Sequence, residues 1–184
     1  LFTSFLEKKE NFDLLIKVFS EVLKEFPNIH LVIVGDGPEK EVFQNQVAEL
    51  NITPNVTFTG EVGGAGILLR AFDIFSFTSL DEGMPNVIME AAAAGLPIVT
   101  WKLPFYEELL ENEVSGLLVE PEDLEKMKES IIRLIKSPEL RQQLGNKARE
   151  NILENFSLDR YIQNMTAAYE EVLKISEHRK NQKR

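Results

Sequence analysis

Two carboxylates bracketing a glycine turn are the residues best placed to do chemistry: Glu82 and Glu90, in the run Ser79-Leu80-Asp81-Glu82-Gly83-Met84-Pro85-Asn86-Val87-Ile88-Met89-Glu90. An apolar run, Ile74 to Phe77, leads into this turn, and the pattern beyond it suits a helix starting at Pro85. A helix rises about 1.5 Å per residue, so Glu90 lies roughly one turn inside it while Glu82 precedes it. The two acids then sit at different depths along one ligand, each accepting hydrogen bonds from a different set of hydroxyls. That suits a sugar at one end and a ribose at the other. Free N–H groups at a helix start, with the aligned peptide dipoles, favour an anion such as a diphosphate, and Gly83 lets the backbone approach it closely. The competing reading makes both acids solvated helix-end charges. A charged Glu90 directly before Ala91–Ala94 and Gly95, on a helix that must pack tightly, weighs against it.

The elements that must position this turn follow from hydrophobic periodicity. Short runs rich in β-branched and aromatic residues, His30–Val34, Val56–Phe58, Ile74–Phe77, Ile98–Thr100 and Leu117–Val119, read as buried strands, and Leu1–Thr3 reads as another. Helical patterns alternate with them, which is the signature of βα units stacked into a parallel sheet. Phe12, Leu15, Ile16, Phe19, Val22 and Leu23 recur at helical spacing and stop at Phe26-Pro27-Asn28. Pro38 suits the first position of a second helix ending at Asn51. Beyond residue 120 the chain is wholly helical, punctuated by Pro121, Pro138, Gly145 and Ser157, with Ser157 the N-cap of a final helix whose apolar positions are Tyr161, Met165, Ala168, Tyr169 and Val172. The expected fold is a Rossmann-like α/β domain: a doubly wound parallel sheet of about six strands, helices on both faces and a helical C-terminal extension. Ligands of such sheets bind at the carboxyl ends of the strands, where the Glu82 turn lies. Residues 1–175 form the domain and 176–184 a polar, frayed tail.

Composition removes several function classes. At 184 residues the chain holds one substantial core rather than two. It has no cysteine, so disulfides and thiolate metal sites cannot form. A formal net charge of −10 disfavours nucleic-acid binding, which needs clustered Lys and Arg. No apolar run reaches the roughly 18 residues of a membrane span, so the chain reads as soluble. The sequence has no Asp-x-Asp pair to cradle a divalent ion, and His30 and His178 read as structural, so no metal or other cofactor is expected. Gly35-Asp36-Gly37 is a weak dinucleotide signal, since a third glycine and a ribose-binding acid are missing. The start at Leu1, already strand-like, suggests a domain excised from a longer chain.

The Glu82–Glu90 arrangement, with Asp73, Ser79, Ala91, Gly95 and Pro97, resembles the signature of retaining glycosyltransferase family 4, the group 1 glycosyl transferases. Val32–Pro38, Val56–Gly60, Gly116–Val119 and Phe156-Ser157 fall in that family's order, so the resemblance covers nearly the whole chain. It implies the C-terminal, donor-binding half of a GT-B fold, with the N-terminal acceptor domain absent. On this resemblance Glu82 is the catalytic residue at the donor-sugar hydroxyls and Glu90 holds the ribose. Amides of Gly83, Met84, Asn86 and Val87 line sugar and phosphate, while Pro85 shapes the loop without donating. Thr59-Gly60-Glu61-Val62 is similar to the segment lying against the base; its other reading is an ordinary strand-end turn. The implied partner is a UDP- or GDP-sugar, the implied context surface-polysaccharide or glycoconjugate synthesis in the cytoplasm. Any attachment to the inner membrane surface falls to the absent half, and the isolated domain is expected to be inactive.

Three departures from the family pattern matter. Ser4 and Glu10 stand where the family usually carries an Arg and a Lys aimed at the diphosphate, although Lys8 and Lys9 lie close by, readable as phosphate contacts or as a solvated basic loop. Each charge-assisted contact is worth about 1.5–3 kcal/mol, so losing both weakens leaving-group stabilisation severely. A second function class therefore stays open: a non-catalytic nucleotide-sugar binder or interaction module. Trp101 to Glu107 replaces an acidic residue and a glycine pair, with Trp101 readable as core filling or as a sugar platform. Gly63-Gly64-Ala65-Gly66 replaces a more polar loop and reads as a flexible flap or a tolerant turn.

Overall fold

The computed structural model describes residues 11–181, the side chains of Ala65 and of residues 176–181 excepted. The expected strand at Leu1–Thr3, the positions Ser4, Lys8, Lys9 and Glu10, and the last residues 182–184 lie outside the described residues.

Within them, short parallel strands form two sheets. In the first, β1 (Leu31–Ile33) pairs with β2 (Val56–Phe58), Leu31 opposite Val56 and Ile33 opposite Phe58. In the second, β3 (Phe75–Phe77), β4 (Ile98–Trp101) and β5 (Leu117–Val119) lie side by side in that order. Every residue of β3, β4 and β5 is buried, which is why these segments are apolar runs rather than alternations: helices cover both faces. β2 is half solvated, and its Thr57 hydroxyl meets His30 Nε2 at 2.8 Å, a structural role for that imidazole. The architecture is the expected Rossmann-like α/β arrangement. The described strands number five, not about six, because the first expected one falls outside the described residues.

Helices follow the periodicities. α1 (Phe12–Glu25) buries Phe12, Leu15, Ile16, Phe19 and Val22, the stripe read from the sequence. α2 (Lys40–Glu49) begins two residues after Pro38, because Pro38 and Glu39 form the turn out of β1. α3 (Asn86–Ala93) follows the Glu82 turn, and α4 (Pro104–Glu107) is one short turn after β4. The C-terminal region is helical throughout: α5 (Leu124–Lys136), α6 (Pro138–Asn155) and α7 (Leu158–Asn181). Asp123 caps α5 by accepting from the Lys126 N–H at 2.9 Å, and Ser137 caps α6 by accepting from the Leu140 N–H at 3.1 Å. Ser157 accepts from the Arg160 N–H at 3.3 Å, the cap expected for α7.

Gly145 corrects an expectation. It does not break a helix but lies buried inside α6, where a Cβ would stand 2.0 Å from the Gly95 carbonyl oxygen. Glycine is there so that α6 can cross the end of α3 at backbone contact. Of the two readings of Gly63–Gly66 the turn fits: Gly63 and Gly64 form a turn leading into a 3₁₀ helix, Ala65–Ala71, whose Leu69 is buried. Residues 158–175 of α7 are exposed along their length, so this helix does not pack on the described part of its own domain. Among the described residues no helix is long and apolar enough to cross a membrane.

Candidate functional site

The parallel strands deliver their carboxyl-terminal turns to the edges where ligands of such sheets bind. β3 ends at Phe77; Thr78 and Ser79 continue it fully buried, and the chain then emerges through Leu80 and Asp81 into the turn. Glu82 is half-buried, Gly83 and Met84 are exposed, and Pro85 packs inward at the start of α3. Glu82 lies ahead of that helix and Glu90 within it, as the sequence spacing predicts; Glu90 is exposed, as the competing reading of a solvated acid has it.

Hydrogen bonding decides which amides can receive an anion. The Asn86 N–H donates to the Met84 carbonyl at 2.9 Å, and the Ile88 and Met89 N–H groups both turn back to the Pro85 carbonyl. Among the described residues, the N–H groups of Gly83, Met84 and Val87 donate to no main-chain carbonyl. Of the four amides named from the sequence, three are therefore open to a ligand and one closes the turn. The positive end of the α3 dipole points the same way.

Glu90 sits between two walls. On one side is the 3₁₀ helix 65–71, where a Cβ on Gly66 would lie 3.8 Å from the Glu90 Oε2. On the other a groove of about 390 Å³ opens, lined by Asn86, Met89, Glu90 and Ala93 of α3 and by Ile152, Leu153, Phe156 and Ser157. Glu90 thus lies at the edge of a groove with a largely apolar lining, with its carboxylate oxygen Oε2 near Gly66.

The Thr59–Val62 segment is held at the end of β2 by main-chain bonds. The Thr59 N–H donates to the Ile33 carbonyl at 3.0 Å and the Gly35 N–H to the Gly60 carbonyl at 2.9 Å. Gly60 adopts a φ of 72°, and a Cβ there would meet the Asp36 carboxylate and the Lys40 ammonium, which are themselves paired at 2.7 Å. That pairing, with the Gly37 N–H bonded to the same side chain, holds the Asp36 carboxyl below the usual carboxylate range. Val62 then turns in to the core, and the chain continues through Gly66 to the Glu90 side chain, so the candidate base loop and the candidate ribose acid are linked by one short segment.

Trp101 resolves to one of its two readings: it is fully buried in β4 among core residues, so it is core filling. Its indole N–H donates to the Thr78 carbonyl at 2.8 Å. Sequence reasoning missed the hydrogen-bonding neighbours of this root, Thr100, Tyr106 and Asn11; the one available signal was that a buried Trp needs an acceptor for its N–H.

Comparison with known proteins decides the family. Residues 1–151 match the family described as Glycosyl transferases group 1. The chain belongs to the group 1 glycosyl transferases. An uncharacterized glycosyltransferase of Haemophilus influenzae is 33% identical to it over 155 residues, which are 84% of this chain and 44% of that protein. The chain spans less than half the length of curated relatives it matches. Among solved structures, a mutant form of Staphylococcus aureus TarM, crystallised with fondaparinux, α-GlcNAc-glycerol and UDP, superposes with a TM-score of 0.82 at 26% identity, over 88% of this chain and 34% of that one. The C-terminal domain of a group 1 glycosyl transferase (LpcC) from Francisella tularensis shares the fold, with a TM-score of 0.77 at 19% identity over 85% of both chains.

Proposed function

We propose that this group 1 glycosyl transferase chain is the donor-binding half of a retaining GT-B enzyme. It holds a nucleoside-diphosphate sugar with the diphosphate on the open amides of Gly83, Met84 and Val87. Glu82 takes the hydroxyls of the sugar and Glu90 those of the ribose, while residues 59–62 lie against the base. During transfer the bond from the anomeric carbon to the diphosphate breaks and its electron pair leaves with the phosphate. Amides already aimed at that site stabilise the growing charge without reorganising. The oxygen of an acceptor hydroxyl, presented by the half of the protein beyond this chain, then bonds to the same face of that carbon, and its proton passes to the departing diphosphate. The reading extends to UDP as the nucleotide, to no requirement for a metal, and to the assembly of surface polysaccharide or glycoconjugate.

The observation that carries the reading is local: three N–H groups without a carbonyl acceptor lie in a turn flanked by two carboxylates at the carboxyl end of a parallel strand. The UDP bound by the 26% identical TarM structure favours a uridine nucleotide. Titration calorimetry with UDP and GDP tests it. Binding of either, abolished by Glu90→Ala in a chain that still folds, is the expected result, and no binding of either sinks the donor site. The substitutions of Ser4 and Glu10 for the family's cations favour a second reading, a nucleotide-sugar binder without transfer. It predicts a longer, acceptor-bearing protein that binds donor yet neither transfers nor hydrolyses it.

A further inference from the structure

The root of the Glu82 turn is held by side chains from a neighbouring strand. At the end of β3 successive carbonyls each accept from β4 or from the turn after it: Phe77 from the Thr100 hydroxyl at 2.9 Å, Thr78 from the Trp101 indole at 2.8 Å, and Ser79 from the Tyr106 hydroxyl at 2.9 Å. All these donors and acceptors are buried, so each bond forms away from competing water. Ser79 supplies no local restraint of its own, since its hydroxyl is buried and, among the described residues, the side-chain oxygen left without a partner. The Thr78 hydroxyl in turn donates to the Asn11 carbonyl at 3.2 Å, at the start of α1. The direction in which residues 80–84 leave the sheet is thus set from outside the turn.

We propose that Tyr106 and Trp101 are positioning residues for the Glu82 turn, acting through the Ser79 and Thr78 carbonyls to hold Glu82 and the open amides in their binding arrangement. Both aromatics lie in the segment where this chain departs from the family pattern, so the proposal concerns a device of this chain; its functional meaning rests on the donor-site reading above. The geometry orders the two. Tyr106 holds the last buried carbonyl before the turn, and its ring is fixed edge-on to Phe77 and Phe105, at centroid distances of 6.2 and 4.5 Å. Removing its hydroxyl alone leaves the ring packing in place and frees the turn.

Hydrogen exchange on the chain, with and without UDP, tests this. The Asn86, Ile88 and Met89 amides, which are bonded inside the turn and helix start, report its opening. Tyr106→Phe is expected to speed their exchange about tenfold, the scale of one lost buried hydrogen bond, while amides of α1 and α5 exchange as before. A control deletion in the other core cluster, Val47→Ala, is expected to lower the melting temperature without this local signature. UDP affinity measured where every variant is folded is expected to fall several-fold for Tyr106→Phe and Trp101→Phe and to hold for Val47→Ala. Unchanged exchange in residues 80–89, or a rise spread evenly over the chain as in the control, overturns the proposal. So does local loosening with UDP affinity unaltered. If UDP and GDP bind no form of the chain, the donor-site reading fails, and exchange alone decides whether the two aromatics position the turn.

Discussion

At the scale of single residues, the proposed donor-site reading distinguishes the two candidate acids, because it assigns them to different parts of one ligand. Glu90, exposed and without an ion-pair partner among the described residues, contributes little to folding, so its loss should appear in nucleotide affinity rather than in stability. Glu82 precedes the helix, on the side assigned to the sugar. Calorimetry of Glu82→Gln with UDP and with a UDP-sugar therefore should show UDP bound as in the parent and the sugar's added affinity reduced by about 1.5–3 kcal/mol, the range for a hydrogen bond to a charged group. Equal losses for both ligands would reverse the assignment. A different acid contributes to the pH dependence of stability. Glu113 receives both guanidinium nitrogens of Arg133 at 2.7 Å, tying the loop after α4 to α5, and this contact holds its carboxyl below the ordinary value of 4.5. A depressed folded pKa means the pair stabilises the fold above pH 4.5 and ceases to as pH falls through the folded value. Half-exposed as it is, the pair is screened, and Glu113→Gln is expected to cost no more than about 1 kcal/mol at pH 7, with the difference closing below pH 4.5 in urea melts.

Elements show where sequence patterns inform and where they fail. The strands at 31–33, 56–58, 75–77, 98–101 and 117–119 were legible because burial on both faces demands unbroken apolar runs, and α1 was legible because one buried face demands a 3.6-residue period. The Glu82 turn was legible because strand, glycine, proline and helix succeed one another locally. What escaped was settled across space. The carbonyls of Thr78 and Ser79 meet Trp101 of β4 and Tyr106 of α4, which no spacing encodes, and Ala65–Ala71 winds as a 3₁₀ helix where the glycines suggested a flap or a turn. Gly145 is the clearest case, a helix breaker by propensity placed inside α6 by a contact with a residue 50 positions away in the chain, Gly95. Its requirement is steric. Because the methyl of Gly145→Ala would meet backbone rather than a movable side chain, α6 must retreat from α3, at a cost of about 1–3 kcal/mol typical of overpacking. Helix propensity works the other way, favouring Ala over Gly by about 1 kcal/mol, so an unchanged or raised melting temperature would mean that the α3–α6 crossing is looser than described.

For the whole molecule, the informative surface is α7. Leu158, Tyr161, Ile162, Met165, Tyr169, Val172 and Leu173 recur three or four residues apart and are all exposed, from 37% at Met165 to 71% at Leu158. An amphipathic helix of this length is not stabilised by propensity alone; its apolar face calls for a covering surface. The described domain does not provide one, and the relatives are more than twice as long as the matched segment. On the proposed donor-half reading, the part of the protein beyond this chain is the expected cover, and α7 would then join the two halves. A paired experiment follows. Ile162→Glu with Tyr169→Glu should move the melting temperature of the present chain by no more than about 2–4 °C, since surface changes away from packing rarely exceed about 0.5 kcal/mol each. In the longer protein the same pair should cost several kcal/mol, because each carboxylate would be buried without a partner, and the halves should become separable by limited proteolysis. A loss of equal size in both contexts would show instead that α7 is covered by its own domain or by a second copy of it, and the helix could then not serve as the connection between donor and acceptor halves.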